Sequence, residues 1–121
     1  MYTTEQNKEI EKVMAVFHDY IQNTKYFDVL WSDKLGYLYL NGISDDRDHL
    51  CMAPVVLRDG ESLCDEIVYH IANDVLESRG KSHDLYLCTE IEKKEIRKAL
   101  STYMNDLPEY QHLIDALFVE K

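Results

Sequence analysis

Apolar positions recur at helical spacing near the start of the chain, where Ile10, Val13, Met14, Phe17, Tyr20 and Ile21 share one face. Thr3 and Gln6 stand three residues apart, the spacing of a capping box, and the pattern predicts an N-terminal helix over residues 4–23. The period then shortens to two. Residues 27–32 (FDVLWS) and 37–42 (YLYLNG) are aromatic-rich alternating runs joined by Asp33-Lys-Leu-Gly36, which predicts a β-hairpin closed by a left-handed glycine. Counting four residues in the loop pairs Ser32 with Tyr37, Trp31 with Leu38, Val29 with Leu40 and Phe27 with Gly42. In that register Asp28, Tyr37 and Tyr39 lie on the more polar face, where the two tyrosines are candidate contact residues. Residues 50–57 read as a third strand, and Pro54 places it at the edge of a three-stranded antiparallel meander.

Helical periodicity returns after the turn at residues 58–62. Leu63, Ile67, Ile71 and Val75, with Cys64, Val68, Ala72 and Leu76, form a broad apolar stripe that predicts a covering helix over 61–79, stopped by Gly80. Residues 84–88 suit a short strand or a connector. Thr89 and Glu92 repeat the capping-box spacing at the head of a helix over 89–105, and Pro108 opens a last helix over 108–119. The expected fold class is α+β, with residues 1–121 forming a single acidic domain without repeats or linkers.

Length and charge narrow the functional classes. A domain of 121 residues buries roughly two-thirds of the surface its unfolded chain exposes, so its core needs no cofactor, metal or disulfide. Cys51, Cys64 and Cys88 are odd in number and lie in apolar runs, which favours a reducing compartment. The N-terminus lacks the order of a signal peptide, and the longest apolar run, Leu50–Leu57, is too short to span a bilayer. A cytoplasmic location without membrane association is expected. The net charge of −10 argues against direct nucleic-acid binding. The surplus is concentrated between residues 28 and 77, where eleven acids face only Lys34, Arg47 and Arg58.

That concentration suggests an anionic recognition surface, with Asp28, Asp45, Asp46, Asp48, Asp59, Glu61, Asp65 and Glu66, beside Tyr37 and Tyr39, as the candidate partner-binding residues. The expected function is a non-enzymatic protein-binding domain (inhibitor, adaptor or chaperone) that docks a basic surface of another protein. A sharper form is a nucleic-acid mimic of the antirestriction or anti-CRISPR type. The order of helix, three antiparallel strands and helix in a small acidic chain resembles the layout of bacterial secretion chaperones, with a more helical last third.

Two other classes compete. Glu66, His70 and Asp74 recur every four residues on the helix over 61–79, and His49/Cys51 and His83/Cys88 offer mixed nitrogen and sulfur donors, as a small metal-dependent hydrolase requires. None has zinc-ribbon spacing, so no metal or catalytic site is expected. Asp84 with Glu92-Lys-Lys94 has the residue types of a metal-dependent nuclease, but the triplet falls on a predicted helix. A structural homodimer is the remaining alternative.

Overall fold

The computed structural model describes residues 2–24, 27–41, 55–81 and 83–120. The chain divides into two compact units, Met1–Leu63 and Cys64–Lys121. The first contains helices α1 (Thr4–Val16) and α2 (His18–Asn23) and strands β1 (Phe27–Ser32), β2 (Gly36–Asn41) and β3 (Val55–Val56). Helix α3 (Gly60–Ser78) crosses the boundary; a 3₁₀ turn at Leu85–Leu87, helix α4 (Glu90–Met104), a 3₁₀ turn at Pro108–Tyr110 and helix α5 (His112–Ala116) follow. The α+β order is the one expected from the sequence. None of the helices among the described residues is long and apolar enough to cross a membrane.

Local chemistry accounts for the helix ends. Thr3 accepts the Gln6 N–H at 3.0 Å while the Gln6 side chain accepts the Thr3 N–H at 2.8 Å, a complete capping box. The expected single helix over 4–23 is two, because Phe17 leaves helical geometry (φ −96°, ψ 14°) between α1 and α2. Asp59 caps α3 by accepting the Ser62 N–H at 2.9 Å. At its other end Gly80 (φ +71°) donates to Glu77 and Lys81 donates to Leu76, both at 2.9 Å, the paired bonds of a Schellman motif. The predicted helix over 108–119 is only partly α-helical. Pro108 opens a 3₁₀ turn, and further i→i−3 bonds follow α5 at Leu117 and Phe118.

The three strands form a meander in the order β1-β2-β3, with β3 at the edge. Of the predicted third strand, Val55 and Val56 are in β3, and residues 50–54 lie outside the described residues. The hairpin register differs from the expected one by a residue: Ser32 pairs with Gly36, Trp31 with Tyr37, Val29 with Tyr39 and Phe27 with Asn41. The turn holds three residues instead of four, with Gly36 (φ +88°) entering the strand. A one-residue slip exchanges the faces of β2, and Tyr39 is consequently buried beside Val29, in the core.

The observed register is accompanied by bonds from outside the hairpin. The Tyr37 N–H donates to the Tyr2 hydroxyl at 2.9 Å, which in turn donates to the Leu57 carbonyl at 2.6 Å. Leu57 returns its own N–H to the Tyr37 carbonyl at 3.0 Å, so the hydroxyl replaces one rung of the ladder. The Tyr2 ring occupies the space a Gly36 side chain would need; a Cβ there would stand 2.6 Å from Tyr2 Cε2. Ile10, Val13, Phe17, Tyr39, Leu57 and Leu63 are the buried hydrophobic residues described in this unit.

In the second unit the predicted stripe of α3 is buried at Cys64, Ile67, Val68, Ile71, Ala72 and Leu76, together with Ile96, Leu100 and Met104 of α4. Each fully buried leucine or isoleucine contributes about 1.5–3 kcal/mol relative to an exposed one. The Gln111 side chain donates to the Met104 and Leu107 carbonyls, closing the end of α4. Arg97 bonds Asp115 at 2.8 Å and lies over the Phe118 ring, 5.3 Å from its centroid.

Candidate functional site

The acids named from the sequence have separate fates. Asp45, Asp46 and Asp48, like His49 and Cys51, lie outside the described residues. Asp28 is half-buried and accepts the Val29 N–H at 2.8 Å. Asp59 is the N-cap of α3, and Glu61 is exposed in the first turn of that helix. Tyr39 is buried and unavailable to a partner, which corrects its placement on the open face. Tyr37 is half-buried, with its ring edge-on to Trp31 at 4.9 Å. On α3, His70 and Asp74 pair at 3.5 Å across one helical turn.

Asp65 and Glu66 are the two that the fold brings into a concave site. They line a cleft of about 450 Å³ in the second unit, together with Asp84. Asp65 and Tyr69 stand one turn apart on α3, while the 3₁₀ turn after Asp84 brings Leu85 and Tyr86 to the same cleft. Tyr69 is 51% exposed and Tyr86 39%, whereas Leu85 and Leu117, which line the same cleft, are buried. Three carboxylates and two accessible phenol rings thus surround an apolar floor, and no lysine or arginine is among the described residues that line it. Low-dielectric walls concentrate the field of such charges, so the cleft attracts cations and repels anions.

Beside the wall formed by Asp84, three residues of different chemistry converge. His83 Nε2 lies 3.2 Å from Glu92 Oε2, and His83 Nδ1 lies 3.0 Å from the Asp84 carbonyl. The Cys88 thiol completes the group: one donor atom from each of His83, Cys88 and Glu92 lies within 4.8 Å of the others. Glu92 is buried because it also serves the helix, its Oε1 accepting the Thr89 N–H at 2.8 Å in the second capping box. First that bond and then the one from His83 hold the Glu92 pKa below its ordinary value. The Asp84 carbonyl, and after it the Glu92 carboxylate, raise that of His83. Burial, reinforced by the Glu92 charge, pushes the Cys88 thiol up, the direction opposite to that of an activated nucleophile.

No family model, curated protein or solved structure matches this chain. Among the described residues, the cleft and the three-residue cluster are the candidate sites. Sequence patterning marks Asp65 and Glu66 but not Tyr69 or Tyr86. The available signal was the four-residue spacing from Asp65 to Tyr69; nothing local pointed to Tyr86, which a tertiary fold brings to the cleft. In the sequence His83 and Cys88 stand out as one donor pair and Glu92 only as a member of other motifs. The structure assembles them around the 3₁₀ turn that lies between His83 and the start of α4.

Proposed function

We propose that this chain is a non-enzymatic acidic protein-binding domain, an inhibitor, adaptor or chaperone, which receives a lysine- or arginine-bearing segment of a partner protein in the cleft of its second unit. The observation that supports this reading is the lining: Asp65, Glu66 and Asp84 set around exposed Tyr69 and Tyr86 over an apolar floor. A lysine or arginine side chain matches all three components. Its aliphatic stem covers the floor, its cationic head meets carboxylates, and the ring faces attract the same charge. A phosphate group would be repelled by the three carboxylates.

The test is a titration of the isotopically labelled protein with an octalysine peptide, followed residue by residue in amide NMR spectra. Shifts concentrated at residues 65–69, 84–86 and 117 are expected, weakened by Asp65→Asn with Asp84→Asn and by added salt. Equal shifts at the acids of α1, or binding unchanged in the double variant, would overturn the assignment.

A further inference from the structure

The cluster beside the cleft has a chemistry that basic-peptide binding does not use. We propose that His83, Cys88 and Glu92 form a zinc-binding site, holding the ion through Nε2, Sγ and Oε2 with water in the fourth position. Three unlike donors, one partly exposed and two buried, meet within 4.8 Å. The 3.2 Å between Nε2 and Oε2 is close to the edge of a tetrahedron with bonds of about 2.0 Å, which is about 3.3 Å. Sγ, at a separation of up to 4.8 Å, must approach by about 1 Å to bond at about 2.3 Å.

The outer bonds are those that orient metal ligands. His83 directs Nδ1 to the Asp84 carbonyl at 3.0 Å, which leaves Nε2 for the ion. Glu92 commits Oε1 to the Thr89 N–H at 2.8 Å, leaving Oε2 on the same side. The backbone of Cys88 is fixed by its own N–H, which donates to the Leu85 carbonyl at 3.1 Å at the end of the 3₁₀ turn. His83 and Glu92 are thus each steered by a side-chain bond that the metal does not disturb. A thiolate with an imidazole selects zinc over magnesium or calcium, which take oxygen ligands. On binding, the ion takes the place of the thiol proton on Sγ and, from the imidazolium form of His83, of the Nε2 proton; each proton released goes to solvent and no electron is transferred.

The ion would clamp residues 83–92 into one loop, which includes Asp84, Leu85 and Tyr86 of the cleft wall. The inference does not depend on that cleft binding a peptide. Its test is the full chain stripped with a chelator and titrated with zinc, then with cobalt(II) as a spectroscopic substitute. One equivalent is expected, with thiolate-to-cobalt charge-transfer absorption, and a raised Tm with zinc but not with magnesium. Cys88→Ser should abolish the absorption, and His83→Gln should weaken zinc binding by at least tenfold. Circular dichroism of both metal-free variants should match that of the parent. No binding, an equal response to magnesium, or charge-transfer absorption retained in Cys88→Ser would overturn the proposal, the last by assigning the metal to another cysteine.

Discussion

Replacing Gly36 by alanine tests how the hairpin register is held. Two separate costs are expected. Alanine at φ +88° incurs the left-handed backbone penalty, about 1–2 kcal/mol. Its Cβ would also stand 2.6 Å from Tyr2 Cε2, so the ring must leave its seat. With it go the hydroxyl bonds to the Tyr37 N–H and the Leu57 carbonyl, each contributing about 1 kcal/mol. The total is roughly 3–4 kcal/mol, a large share of a small protein's stability. In a Tyr2→Ala background the ring and its bonds are already gone, and the same substitution should cost only the backbone term, about 1–2 kcal/mol. Urea unfolding monitored by Trp31 fluorescence suits the measurement, because the chain's one tryptophan lies in β1 against Tyr37. The two substitutions should be non-additive by about 2 kcal/mol. Additivity to within about 0.5 kcal/mol would show that Tyr2 does not occupy the space beside Gly36.

Gly80→Ala provides a contrast, since Gly80 has φ +71° but a Cβ there would meet nothing within 4 Å; only the backbone term, about 1–2 kcal/mol, should appear in thermal unfolding. Asp59→Ala should cost about 1 kcal/mol by chemical denaturation, through loss of the cap on Ser62, while Asp59→Asn should be nearly neutral. If the alanine variant instead weakens octalysine binding without loss of stability, Asp59 belongs to a recognition surface after all.

The sequence and the tertiary structure decided different things. Features bounded by short sequence separation were legible: Thr3 with Gln6, Thr89 with Glu92 and the Gly80 stop are interactions over three to five residues, so residue identity and spacing suffice. The buried stripe of α3 was legible for the same reason, as periodicity along one helix reports one face. The hairpin itself was visible, but its register was not, because the turn could close on three residues or four. That choice is associated with Tyr2, bonded to Tyr37 across 35 positions and to Leu57 across 55. The faces of β2, and with them the burial of Tyr39, followed from that choice.

The sites divide in the same way. Composition located an excess of carboxylates, yet it could not separate Asp59, used as a cap, from Asp65, which lines a cleft, because both stand near the start of one helix. Glu92 was readable as a capping residue from its distance to Thr89. That its second oxygen also meets His83, with the Cys88 thiol beside them, depends on the path of the backbone between residues 83 and 92, and one-dimensional spacing carries no record of that path. Short-range hydrogen bonding is written in the order of residues, whereas convergence of distant side chains exists only once the backbone has been placed in space.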